Sequence, residues 1–192
     1  VPSEMPASYE SQALMAQAVC ARTYAVCQIQ ENSLEKYGAD VDDSVNYQVY
    51  NNFGADKRTN KAVQDTKGQI LCQNGEPITA YYFSTSCGKT TTAEAWGNAS
   101  PEKRYLQSVE IKDAERDYEA DLPWYRWRAV IPTNVLTNMI NLNTQTNIGN
   151  VTSMEVTKYG PGGVAQQIVV TGELGSVTVD TENKIRTALG GN

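Results

Sequence analysis

From residue 9 to about residue 30 the chain is apolar on nearly every side, and Arg22 is the only charge between Glu10 and Glu31. A segment of this length reads as a helix, and a helix without a polar face has to be covered all round by the rest of the chain. Ser8 is the predicted N-cap, and Glu10 falls in the first turn, where the helix dipole favours an acid. The pattern predicts a buried central helix with smaller elements folded against it.

Downstream the signals mix. Residues 37–56 are rich in Asp and Asn and read as loop, with a short strand over 47–50. Residues 59–66 read as a short helix stopped by Gly68. Asn74-Gly75 between 69–72 and 77–84 is a hairpin signal, because a type I′ turn needs positive φ at both central positions. Residues 85–127 show little periodicity and read as functional loops. After them come a strand over 128–131, a helix capped by Thr133 and running to about residue 142, and a hairpin of 151–159 with 164–171 around Gly160-Pro161-Gly162-Gly163. A strand over 176–179 and a helix from about 181 to 189 close the chain. Helices and antiparallel hairpins together indicate α+β. The 192 residues suffice for one domain, or for a core over 1–127 with a C-terminal lobe over 128–192.

Composition excludes several chemistries. The chain has no histidine, so Ser-His-Asp and Cys-His catalysis and histidine-rich zinc sites have no imidazole to use. A net charge of −6 argues against nucleic acid and anionic lipid, both of which require clustered Lys and Arg. Cys20, Cys27, Cys72 and Cys87 form no Cys-x-x-Cys pair. On one helix, Cys20 and Cys27 would stand about 10 Å apart, too far for a disulfide. A bridge from either to Cys72 is open, and buried free thiols at Cys20 and Cys27 are the simpler expectation. No targeting segment or membrane span is visible, and the start at Val1-Pro2 suggests a piece of a longer protein.

Three segments are candidates for chemistry. In Val1-Pro2-Ser3-Glu4-Met5-Pro6 two prolines shape the backbone around a carboxyl just ahead of the apolar helix. Partial burial there would raise its pKa towards the value a general acid needs, although an exposed loop glutamate is the commoner case. Ala80 to Thr90 collects hydroxyl side chains beside aromatics at a strand exit, a surface of donors and acceptors for a polar ligand or simply a polar turn. Within it Ser86-x-x-Lys89 lacks the companion motifs of penicillin-binding enzymes. Gly88-Lys89-Thr90 lacks the earlier glycine of a phosphate loop, since Phe83 stands there. Asp40 to Tyr50 has acidic spacing without the glycine and terminal glutamate of a calcium loop.

Taken in order, Val1-Pro-Ser-Glu-Met-Pro6, Ala16-Gln-Ala-Val-Cys-Ala-Arg-Thr-Tyr-Ala25, Asp40 to Tyr50, Thr66-Lys-Gly-Gln-Ile-Leu71, Tyr82-Phe-Ser-Thr-Ser-Cys-Gly88, Ala95-Trp-Gly97, Lys158-Tyr-Gly-Pro-Gly162 and Ile185-Arg-Thr-Ala-Leu-Gly190 resemble the sporulation stage II protein D (SpoIID/LytB-like) family. The resemblance implies a mixed α/β domain with a groove for a glycan strand. It also implies a lytic transglycosylase of peptidoglycan, or an enhancer of a wall amidase. Glu4 falls on the family's essential acid. As implied supporting residues, Arg22 pairs with Glu4 or an inner acid or lies along the surface, and Gln48, Tyr50, Tyr82, Ser84 and Ser86 hydrogen-bond substrate. Trp96 stacks on a sugar or packs inside.

The partners implied are peptidoglycan strands and a cell-wall amidase, with no nucleic acid and no cofactor. The place implied is extracellular or wall-facing, with membrane attachment only through a segment outside this chain. Three departures bear on this. Members with a zinc site carry Cys or His in the segment matching residues 40–50, where this chain has Asp42, Asn46 and Tyr47, so no structural zinc is predicted. Phe83 stands where a His is usual, and Cys87 where a Gly is expected. The family's Ser-rich end would follow Asn192. A purely structural surface domain is the remaining reading.

Overall fold

The computed structural model describes residues 1–44, 47–52, 54–97 and 100–191. It is α+β: the described residues hold four α-helices and five strands in two antiparallel sheets. The chain divides into two compact units, Val1–Phe83 and Ser84–Asn192.

The first unit is built round α1, Ser11–Glu31. Leu14, Gln17, Ala18, Thr23, Cys27 and Gln28 are buried along it, and most of the remaining side chains are half-buried. Ser8 does not cap it. The backbone closes a turn from the Tyr9 amide to the Pro6 carbonyl, and Glu10 takes the N-cap position with no side-chain cap. The prolines hold the entry in turns and delay the helix to Ser11. At the other end Asn32 is left-handed, and its amide donates to Gln28.

Helix α2, Lys57–Asp65, begins earlier than its apolar pattern suggests, because Asp56 accepts from the Arg58 and Thr59 amides. Thr59 and Ala62 are its buried positions. Arg22 and Thr23 staple α1 to the chain that follows α2. The Arg22 guanidinium donates to the carbonyls of Thr66 and Gln69, each at 2.8 Å, and the Leu71 amide donates to the Thr23 hydroxyl at 3.0 Å. The hairpin is shorter than its sequence suggests, with β1 as Cys72–Gln73 and β2 as Glu76–Pro77. Its turn is as expected, with φ of 55° at Asn74 and 89° at Gly75.

No strand forms over residues 47–50. The Val49 amide is taken by the Glu4 carboxylate and the Asn51 amide by the Ser3 hydroxyl, so side chains satisfy the donors a neighbouring strand would have used.

In the second unit, β3 (Val151–Tyr159), β4 (Ala165–Gly172) and β5 (Gly175–Asp180) form one antiparallel sheet in that order. Strand β4 buries alternate residues, Gln166, Ile168 and Val170. These two apolar side chains meet Ile140 of α3 (Thr133–Asn143), Val151, Val179, and Ile185 and Ala188 of α4 (Glu182–Ala188) in one core. Thr133 is the first helical residue rather than the cap. Pro132 precedes it with non-helical backbone, and its carbonyl accepts from Leu136. At α4 the Thr181 hydroxyl does cap, accepting from the Lys184 amide. Residues 128–131 form no strand and lie largely exposed, and an extended segment with no neighbour to pair with gains little. The described residues of 85–127 are irregular apart from 3-10 turns at Ala93–Trp96 and Pro101–Lys103 and two isolated bridges, Lys89 with Glu110 and Lys112 with Asp117.

Candidate functional site

Glu4 sits in a tight turn. Its own amide and that of Met5 both donate to the Val1 carbonyl, at 2.9 and 3.0 Å, so the two prolines flank a closed loop that turns the side chain inward. The carboxyl is half-buried. Its Oε1 accepts the Val49 amide at 2.8 Å, and the Tyr82 phenol lies beside the carboxyl. Burial, and then the adjacent Glu4 carboxylate, pushes the Tyr82 phenol far above its ordinary value, so Tyr82 keeps its proton and acts as a donor.

Two depressions meet at this carboxyl. One, of about 450 Å³, is lined by Glu4, Ala21, Asp42, Gln48, Val49 and Tyr50, among others. The other, of about 400 Å³, is lined by Glu4, Tyr24, Tyr47, Val49, Tyr81 and Tyr82, with Ala80. Glu4 and Val49 line both, so the carboxyl borders an acidic, aliphatic side and a side walled by tyrosines. Each volume lies within the usual range of small-ligand sites. Gln48 is held in the first wall by its amide donating to the Ala21 carbonyl at 2.9 Å. Tyr50 is exposed, with its hydroxyl donating to Asn52.

The structure thus brings Glu4, Gln48, Tyr50 and Tyr82 together. Arg22 is engaged elsewhere: all its hydrogen bonds go to the carbonyls of Val63, Thr66 and Gln69 and the Thr66 hydroxyl, not to Glu4 or another carboxylate. Asp42 accepts the amide and hydroxyl of Ser44; Asn46 lies outside the described residues. Ser84, Ser86 and Trp96 belong to the second unit. There Ser84 is exposed, Trp96 is about half-exposed, and buried Ser86 gives its hydroxyl to Glu119, which also accepts the Ser86 amide. Sequence reading missed the Val49 amide, Tyr24 and Tyr47. A backbone donor leaves no mark in a sequence, and the tyrosines carry no signal of their own, Tyr47 within an expected short strand of an Asp- and Asn-rich segment and Tyr24 within an apolar helix. All four cysteines are free, with Cys27 buried, Cys20 half-buried, and Cys72 and Cys87 exposed.

The Stage II sporulation protein family model matches residues 1–72. The amidase enhancer of Bacillus subtilis (strain 168) is 43% identical over 102 residues, which cover 53% of this chain and 13% of that protein. Stage II sporulation protein D of the same organism is 42% identical over 124 residues, covering 57% of this chain and 35% of that protein. Its namesake from Bacillus amyloliquefaciens is 41% identical over 124 residues, with the same two shares. The chain therefore spans about a third of the length of the sporulation relatives and far less of the amidase enhancer.

Proposed function

Because this chain belongs, through residues 1–72, to the Stage II sporulation protein family, we propose that it is a wall-facing lytic transglycosylase that cleaves peptidoglycan glycan strands with Glu4 as its acid and base. The observation that carries this reading is that Glu4 lines both depressions. A carboxyl that cleaves a bond between two sugars has to stand between the places they occupy.

The chemistry needs one proton and one carboxyl. Protonated Glu4 gives its proton to the oxygen linking N-acetylmuramic acid to N-acetylglucosamine. The C1–O bond breaks and positive charge develops at C1. The muramyl C6 hydroxyl attacks C1, and its proton passes to the Glu4 carboxylate. A 1,6-anhydro end forms, no water is consumed, and Glu4 returns to its starting state. The Val49 amide holds the carboxyl in one orientation through both transfers, with the protonated Tyr82 hydroxyl beside it, and a fixed donor at a site of changing charge needs no reorganisation during reaction. Gln48 and Tyr50 are the wall groups we assign to sugar hydrogen bonds. A single carboxyl suffices because the nucleophile belongs to the substrate, unlike the paired carboxylates of hydrolytic glycosidases.

Incubation with peptide-free glycan strands should yield anhydromuramyl ends by mass spectrometry. Glu4→Gln should lower that yield by roughly 100-fold or more while leaving the thermal transition in place. Equal yields from the two proteins would overturn the assignment. The 43% identity to an amidase enhancer favours a second reading, in which the chain binds glycan without cutting it and speeds a partner amidase. That reading predicts glycan pull-down, no anhydro ends, and faster amidase turnover on addition of the chain.

A further inference from the structure

The second unit contains a cavity of its own, of about 600 Å³, with Lys89, Glu110, Lys112, Asp117, Arg126 and Trp127 in its wall. Its floor is two short antiparallel crossings, where Lys89 bridges Glu110 and Lys112 bridges Asp117. Gly88 at its edge has φ of 93°, and a Cβ there would lie 2.5 Å from Asp117 Oδ2, so only glycine lets that carboxylate in.

The charges in this wall do not cancel. Glu110 is shared by both lysines, at 3.4 Å from Lys89 and 2.6 Å from Lys112. Asp117 accepts the Tyr125 hydroxyl. The Arg126 guanidinium lies 4.0 Å from the centre of the Tyr125 ring, and its hydrogen bonds go to the Cys87 and Tyr125 carbonyls and the Tyr125 hydroxyl, all neutral acceptors. Three cations thus face two carboxylates, and the cation without a carboxylate is the one whose planar fork matches a carboxylate best. Beside it Trp127 is 71% exposed, an open aromatic face on the cavity wall.

We infer that this cavity binds a saccharide carrying a carboxylate, with Arg126 on the carboxylate and Trp127 against the sugar ring. Aromatic faces take the C–H face of a pyranose, and the paired lysines and acids supply donors and acceptors for its hydroxyls. One uncompensated charge suits a monoanion. A phosphate dianion would meet Glu110 and Asp117 with too little positive charge to offset them. The volume suits one or two sugar rings. The inference does not depend on Glu4 being catalytic.

The test follows the Trp127 indole N–H by NMR in the full chain, assigned with Trp127→Phe. Peptide-free muramyl oligosaccharides, oligogalacturonides and neutral chitin oligosaccharides are titrated in turn. At least one acidic series should shift the indole signal with affinity about tenfold or more above the neutral series, and the acidic series that binds identifies the source of the carboxylate. Arg126→Gln should bring the acidic ligand down to the neutral level, with Arg126→Lys in between. Glu110→Gln should tighten acidic binding by freeing both lysines. Glu4→Gln should change nothing at this reporter even where cleavage is lost. Acidic and neutral ligands binding alike, or weaker acidic binding in Glu110→Gln, would overturn the proposal.

Discussion

At the scale of single residues, the carboxyl of Glu4 has two polar neighbours of different kinds. The Val49 amide belongs to a backbone with no sheet partner, so it is available to a side chain. Tyr82 holds its proton because of burial first and the neighbouring carboxylate second. Removing that hydroxyl with Tyr82→Phe takes away the phenol beside the Glu4 carboxyl. In the proposed reaction this appears as roughly a 10- to 100-fold fall in kcat with little change in KM, measured on soluble glycan fragments. In an alkaline absorbance titration Tyr82 should ionise well above the ordinary phenol range, and Tyr82→Phe should remove that late phase. Arg22 offers a contrasting case. Arg22→Gln strips donors from the carbonyls of Thr66 and Gln69 and should cost about 1–3 kcal/mol by urea unfolding. It should leave the pH profile of the proposed reaction in place, because the hydrogen bonds of Arg22 go to Val63, Thr66 and Gln69 rather than to Glu4.

At the scale of elements, strong local periodicity translated directly and weak periodicity did not. Helix α1, the Asn74-Gly75 turn, the β3–β4 hairpin, β5 and α4 were legible, each to within a residue or two. Their signals are short-range: a 3.6-residue pattern, a pair of positive-φ residues, alternation along β4. The expected strands over 47–50 and 128–131 are absent because a strand exists only with a neighbour, and no local pattern announces whether a neighbour arrives. Caps were misplaced for a related reason. Ser8 and Thr133 are good capping residues, but a proline-bearing turn at Pro6 and the extended backbone of Pro132 set helix entry elsewhere. The cap that does act at α2 should be measurable, with Asp56→Ala costing about 1 kcal/mol. Ile140, fully buried between α3 and the sheet, is the element-scale anchor of the second unit. Ile140→Ala should cost about 2–5 kcal/mol by urea unfolding.

At the scale of the whole molecule, acids and phenols set opposite limits on pH. The Ser100 hydrogen bond, then its backbone hydrogen bond, hold Glu102 below the usual carboxylate range; Lys112 does so for Glu110, and the amides of Glu115 and Arg116 for Asp113. Their contribution is present above the unfolded carboxylate range, about pH 4, and is lost as pH falls through their lower folded values. Burial raises Tyr24 and Tyr82, and hydrogen bonding to Asp117 raises Tyr125. Their contribution is present below about pH 10 and is lost as pH rises through their higher folded values. Urea midpoints should therefore decline as pH falls below about 4 and as it rises above about 10, the acid side moving with salt because its groups are exposed.

What the sequence by itself determined is whatever depends on neighbours along the chain: the apolar helix that must be covered, the turns, the alternation of β4, and a glutamate held between two prolines. What only the tertiary structure decided is which groups face each other. The Val49 amide reaches back to Glu4, Tyr82 comes from far along the chain to the same carboxyl, and Arg126 stands in a wall whose carboxylates are already taken. Hydrogen bonds and charges act across a few ångströms of space, so their partners are set by how the chain returns on itself. Local pattern does not carry that information.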